Sequence, residues 1–274
     1  MTQQFDPNNP INLNSESFGN TFNPDSLVRS RNLYTPDKEY SLSRSRMQTY
    51  LDCPACFYRD RKEGVAPPIP YPYSLNSAVD ELLKKEFDIY RARREPHPKM
   101  VEYRVNAIPY DHPEINRWRD SLHGGISIKV PGTNFKFSGG IDDLWINQKG
   151  ELHVVDYKST STNREVTLDD PYKITYKKQV EMYHWLFKAN KFPMSDIAYF
   201  VYSNARTDLG SFDDKLEFQT SILPYKLDSS WVPAALQSAH AVLNQDTPPP
   251  PHHDCKNCKF IAGANKVARD RKYN

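Results

Sequence analysis

The stretch 135-FKFSGGIDDLWINQKGELHVVDYKST-160 decides how this chain is read. It predicts two strands joined by the three-residue loop Gln148-Lys149-Gly150. With that loop Asn147 faces Glu151. One face of the hairpin then carries Ile146–Leu152, Leu144–Val154, Asp142–Asp156 and Gly140–Lys158 as opposed pairs. The apolar pairs bury that face, and it ends in two carboxylates and a lysine beside a glycine.

Two facing carboxylates are costly. Opposed residues of an antiparallel pair have Cβ atoms ~4.5–5.5 Å apart, and like charges there repel. Burial raises the cost. A divalent cation between Asp142 and Asp156 removes it, and an all-oxygen ligand set suits Mg²⁺ or Mn²⁺. Gly140 would leave room opposite Lys158 for a substrate, and Lys158 would hold a phosphate. The plainer reading of Asp-x-Lys is a solvated salt-bridge edge. A one-residue slip in register would put Asp143 on this face instead.

Two further sites flank the hairpin. Asp80 lies on the apolar side of a helix expected over about 77–94, whose stripe is Val79, Leu83, Phe87 and Tyr90. Locally, Ser77-x-x-Asp80 reads as a capping box; metal ligation is the alternative, with Glu86 a second candidate on the same helix. Gln179 and Tyr183 share a face of a helix expected over about 172–190, where they could position a phosphate or a base or simply line an amphipathic surface.

Working outward, residues 1–37 are rich in Asn, Pro and Ser and read as a disordered tail on which Phe18, Phe22 and Leu27 could dock locally; 38–274 read as a single domain. A helical segment runs from Tyr40 to Gly64, with Ser43 or Ser45 as N-cap. Between 101 and 131 the pattern is mixed: a short strand near 103–108, then a helical stretch near 113–122. Strands follow at Ile197–Asn204 and about 216–222, then a helix over about 230–243, a proline spacer at 248–251 and a basic tail. No apolar run approaches the ~20 residues of a membrane span, and the N-terminus lacks a signal-peptide pattern. Membrane and secreted classes are therefore disfavoured, and a cytoplasmic location is expected.

The four cysteines of the 274 residues fall as Cys53-x-x-Cys56 and Cys255-x-x-Cys258. This spacing reads first as a metal site. The pairs make one Cys₄ site if the chain ends meet, and four thiolates can hold Zn²⁺ or an iron–sulfur cluster. The alternative is that Cys53 and Cys56 are core residues and the second pair is independent. His252 and His253 are possible substitutes for a cysteine.

Taken together these residues resemble the PD-(D/E)XK nuclease superfamily, specifically its RecB-like branch. Ser43-Arg44-Ser45 through Cys53-Pro54 and Phe57 is similar to its S-x-S…Y-x-x-C-P-x-x-F segment. Gly139-Gly140-Ile141-Asp142 is similar to its G-x-I-D strand, Asp156-Tyr157-Lys158 to its D-x-K strand, and Gln179 to Tyr183 to its Q-x-x-x-Y helix. The resemblance covers about residues 40–262. It implies an α/β, restriction-endonuclease-like core with a mixed central β-sheet flanked by α-helices, its N- and C-terminal ends joined by the Cys₄ site. It also implies Mg²⁺- or Mn²⁺-dependent hydrolysis of DNA phosphodiesters. Asp142, Asp156 and the Tyr157 carbonyl would ligate metal, Lys158 would assist catalysis, and Gln179 and Tyr183 would support substrate or site.

The chain departs from the branch twice. Asp80 stands where a histidine ligand is usual. Members similar to CRISPR adaptation nucleases and AddB-type subunits use one N-terminal and three C-terminal cysteines for a [4Fe–4S] cluster; here a Cys-x-x-Cys lies at each end, and Cys56 would supply the missing ligand. Spacing favours zinc, whereas the resemblance favours the cluster; the [4Fe–4S] cluster is the expectation, with structural Zn²⁺ the alternative.

Net charge is only +2, from 36 Lys and Arg against 34 Asp and Glu. A polyanion would have to meet a local patch. Arg44, Arg46, Arg59, Arg61 and Lys62 form one candidate; the six Lys and Arg of residues 254–274 form another. No groove-reading motif is present, so the partner expected is DNA, single-stranded or at duplex ends, with little sequence specificity. The leading expectation is an exonuclease of DNA repair or recombination. The alternatives are a CRISPR spacer-acquisition nuclease and a catalytically inactive DNA-binding or scaffold module with a structural Cys₄ site.

Overall fold

The computed structural model describes residues 32–68 and 73–272. Among the described residues, eight strands form two mixed sheets. β1 (Tyr40–Ser43), β4 (Phe135–Gly139) and β3 (Ile126–Lys129) make the smaller, in the order β1-β4-β3. The larger has the order β2-β5-β6-β7-β8, from β2 (Ala107–Pro109), β5 (Asp143–Asn147), β6 (Leu152–Thr160), β7 (Ile197–Ala205) and β8 (Phe218–Lys226). β6 and β7 run parallel, joined by a crossover through α6 (Ile174–Ala189); the other pairs of the larger sheet are antiparallel.

Alternation along the strands explains the layering. Leu144, Leu152, Val154, Phe200 and Tyr202 face one core with Val180, Leu186 and Phe187 of α6, the smaller sheet and α7 (Val232–Leu243). Trp145, Val155, Tyr157 and Val201 face a second core with Leu83 and Phe87 of α3 (Ser74–Arg93) and Met100 of α4 (Pro98–Glu102). The larger sheet is thus covered on both faces. Among the described residues no helix is long and apolar enough to cross a membrane.

The β5–β6 hairpin has the register expected, with Asp143 opposite Val155, Leu144 opposite Val154 and Ile146 opposite Leu152. The loop closes through Asn147 N–H to Glu151 O at 3.0 Å, and Gly150 takes the left-handed conformation. The first expected strand, however, is two. β4 belongs to the smaller sheet and β5 to the larger, and the chain changes sheet at Gly140-Ile141-Asp142.

Other expectations shift. The segment from Tyr40 to Gly64 is β1, α1 (Arg44–Asp52), α2 (Pro54–Tyr58) and a π-helical turn (Arg59–Glu63), with Ser43 Oγ accepting the Arg46 N–H at 3.3 Å as the N-cap. The short strand near 103–108 lies later, as β2. The stretch near 113–122 shrinks to α5 (Ile115–Arg119), and β3 follows it. The basic C-terminal tail is a helix, α8 (Lys256–Lys272), exposed along nearly all of its length. Tyr34, within the stretch expected as tail, is buried against Tyr40, Phe135 and His240. Phe18, Phe22 and Leu27 lie outside the described residues.

Candidate active site and cysteine cluster

Asp142 sits at the sheet-to-sheet crossing, one residue before β5. Its Oδ2 accepts the Tyr157 N–H at 2.9 Å, which fixes it beside β6. The next residue, Asp143, points to the opposite face. It is fully buried between Arg91, Arg119 and the Tyr157 hydroxyl, which donates to its Oδ2 at 2.7 Å. Arg119 also donates to the Asp142 carbonyl at 2.9 Å and to Asp88 at 2.8 Å. The crossing is therefore held from beneath by a buried charge cluster while Asp142 faces the opening.

Asp156 lies on the same face as Asp142 and is wholly buried. Its oxygens take no well-directed hydrogen bond; they are ion-paired only with the Lys158 ammonium. Burial pushes its carboxyl up to about 7; Lys158 opposes this and the Asp142 charge adds to it. This is not a solvated salt-bridge edge.

Asp80 completes the group. α3 begins at Ser74, three residues before the serine of the expected capping box, and Ser77 Oγ bonds back to the Tyr73 carbonyl. Asp80 is thus inside the helix, half-buried, and does not cap it. Burial and then the Asp142 charge raise its carboxyl's affinity for a proton. Lys84, one turn on, bridges the two: its Nζ is 2.7 Å from Asp80 and 3.5 Å from Asp142. Glu86 lies elsewhere on α3, bonded to His97 Nε2 at 2.7 Å.

A cleft of about 450 Å³ opens here. Asp80, Asp142, Tyr157, Lys158 and Gln179 line it. Asp156 lies behind its wall. Tyr183 faces a separate small recess with Arg44 and Gly139, while its hydroxyl accepts from Gln179 Nε2 at 3.3 Å. A Cβ at Gly139 would stand 2.7 Å from the Tyr183 ring, so that glycine is what lets α6 approach. Gly140 does not serve the substrate space expected of it. A Cβ there would strike the backbone of Ser121 at 2.7 Å.

Two residues near the site escaped sequence reasoning. Lys84 had a signal in its i,i+4 spacing from Asp80. Arg44 had been grouped with a basic patch; its guanidinium carbon lies 5.8 Å from the Tyr183 ring centroid, close enough to act on Asp156. The rest of that patch is engaged internally. Arg46 and Arg61 pair with the buried Asp60, Lys62 donates to the Gln245 carbonyl, and Arg59 donates to Cys258 Sγ at 3.6 Å.

The four cysteines converge, so the two pairs are not independent. Their Sγ atoms all lie within 4.8 Å of one another. Cys56 is 3.5 Å from Cys255 and 3.6 Å from Cys258; Cys53 is 3.9 Å from Cys258. Burial raises the Cys53 thiol's pKa, but the N–H groups of Cys56 and His252, together with the Cys255 and Cys56 thiols, bring it down to about 7. His252 contributes through its backbone, at 3.4 Å, and its side chain stays outside with His253 and Asp254. The cluster ties the α1–α2 corner to the start of α8.

The family model described as PD-(D/E)XK nuclease superfamily matches residues 72–262. A comparison with curated proteins finds no match. A solved structure titled "Crystal structure of SSO0001" is similar over 76% of this chain and 78% of its own, at 16% identity and a TM-score of 0.31, too loose a likeness to bear on function.

Proposed function

Since the chain belongs to the PD-(D/E)XK nuclease superfamily, we propose that it is a divalent-metal-dependent deoxyribonuclease of the RecB-like branch, acting on DNA strands from their ends in repair or recombination. One observation carries this reading. Asp80 and Asp142 line the cleft at the end of β5 and β6 beside Lys158, and the buried Asp156 lies behind its wall, ion-paired with that lysine.

The donor set fits Mg²⁺ or Mn²⁺: it is all oxygen, and the buried Asp156 oxygens lack hydrogen-bond donors other than the lysine. Asp80, Asp142, Asp156 and the Tyr157 carbonyl would hold the ion, which supplies charge neutralisation at a phosphate and a more acidic water. The chain does the rest. The Lys158 ammonium, paired with Asp156 and resting 4.9 Å from the Tyr176 ring centroid, is placed to donate to a phosphate oxygen. Gln179, braced by Tyr183, orients a polar group of the substrate. Lys84 offsets the repulsion between Asp80 and Asp142.

At the cysteine cluster we favour zinc over a [4Fe–4S] cluster. Zn–S bonds of ~2.3 Å set tetrahedral sulfurs ~3.8 Å apart; three of the pairs here stand at 3.5–3.9 Å, and all four sulfurs lie within 4.8 Å of one another. A cluster gives each thiolate its own iron and needs wider spacing.

The test is incubation of anaerobically purified protein with end-labelled single- and double-stranded DNA, with Mn²⁺, Mg²⁺ or EDTA, beside Lys158→Ala. Metal-dependent cleavage by the wild type, lost in the variant, is expected. Equal cleavage by both, or none with either metal, overturns the reading.

A further inference from the structure

Across Lys158 from the carboxylates lies a second cleft, of about 410 Å³. Sites for small ligands run ~300–1,000 Å³. Its wall is the loop 161–170, and its floor is the end of β6 with Tyr202 of β7. Lys158, Ser159 and Tyr176 line both clefts, so the two adjoin.

Three tyrosines shape it. Tyr172 stands at the mouth, 65% exposed, although a ring of that size would ordinarily be put to use in packing. Tyr176 is half-buried between the clefts. Tyr202 forms the floor, and its buried hydroxyl has no hydrogen-bond partner among the described residues. Above it Lys173 lies 5.1 Å from the ring centroid, held by the Thr167 carbonyl and Asp170, both in the loop. Charge is nearly balanced: Lys158, Arg164 and Lys173 face Glu165 and Asp170. A second phosphate would find little net attraction there, whereas a neutral aromatic ring finds stacking faces.

We propose that this cleft receives one unpaired nucleobase of the substrate strand, next to the phosphate engaged by Lys158. The proposal rests on the nuclease reading and deepens it. Tyr172 and Tyr176 supply stacking, which tolerates any base because every base has a π-face. Displacement of the Lys173 side chain by the base would give its edge access to the Tyr202 hydroxyl. A base still paired in a duplex cannot enter, so the substrate is single-stranded or a frayed end.

The experiment uses the full chain with Mn²⁺ and single-stranded oligonucleotides carrying one abasic position, stepped along the strand. Wild type, Tyr172→Ala and Tyr202→Phe are compared by kcat and KM. Tyr172 is exposed and Tyr202→Phe keeps the packing, so both variants should fold. At one position beside the cut, loss of the base should lower kcat/KM roughly 5- to 150-fold, mostly through KM, the range that base stacking supplies. Tyr172→Ala should lose a similar factor on intact DNA and be indifferent to the abasic site at that position. Variants that cleave like wild type, losses that simply multiply at every position, or blunt duplex cut as fast as single strands would each overturn the proposal while leaving a nuclease. Wild type inactive on all DNA would instead remove the nuclease reading, and this one with it.

Discussion

Gly140→Ala tests how the fold delivers Asp142. The added Cβ would stand 2.7 Å from Ser121 Cα and 2.8 Å from its Cβ. Carbon atoms settle at ~3.5–4.0 Å, so something must move by about 0.8 Å. Ser121 cannot easily yield. Its turn is closed by Asp120, whose Oδ1 accepts from Leu122 and His123 at 3.0 and 2.9 Å. The displacement therefore falls on residues 140–142. Overpacking of this kind costs ~1–3 kcal/mol, and a catalytic group misplaced by ~1 Å loses about 100-fold in rate. The urea midpoint should drop accordingly, and the initial rate of Mn²⁺-dependent cleavage should fall 10- to 100-fold. If the glycine merely left room for substrate, KM would rise while the urea midpoint stayed put. A variant with wild-type midpoint and wild-type rate refutes the reasoning.

Three more expectations concern other parts of the molecule. Cys258→Ser should abolish the zinc content measured by elemental analysis and lower thermal stability by several kcal/mol, since binding energy at such a site is folding energy of ~10 kcal/mol or more; unchanged metal content would count against a shared Cys₄ site. Lys84→Met should leave Asp80 and Asp142 repelling each other, costing ~1 kcal/mol without metal and enlarging the rise in melting temperature on adding Mn²⁺; an equal rise in both proteins removes Lys84 from the site. Burial brings the pKa of His184 down from 6.5 to about 4. The unfolded chain takes up that proton near 6.5 and the native one only near 4, so stability is full above 6.5 and drains as pH falls towards 4, by roughly 3 kcal/mol. His184→Gln should flatten that limb of the stability curve, and parallel curves would show that His184 does not carry it.

The hairpin was readable because period-two alternation and a three-residue loop leave one register that buries both apolar sets. Its break at Gly140 was not, because the two glycines answer to Tyr183 and Ser121, neighbours far along the chain. Asp80 was misleading locally. Ser77-x-x-Asp80 has the spacing of a cap, but the helix extends three residues further back, and only the position of Asp142 tells what Asp80 faces. The basic cluster near the first cysteines looked free because its neutralising partner, Asp60, is a single residue whose burial sequence does not reveal. α8 went unrecognised because it buries almost nothing, so it carries no clear apolar stripe to a core. The cysteines were legible as pairs; their meeting follows from the path of everything between them.

That path has a consequence for the timing of synthesis. Cys56 and Cys255 are 199 residues apart. Ribosomes add roughly 5–20 residues per second, so the first pair waits about 10–40 s before the second exists. The sheets can pair during that interval and α1 and α2 can pack on them, but Cys53 and Cys56 have no second pair to meet. Closure waits for Cys255 and Cys258, and a chain that stops short of them never achieves it.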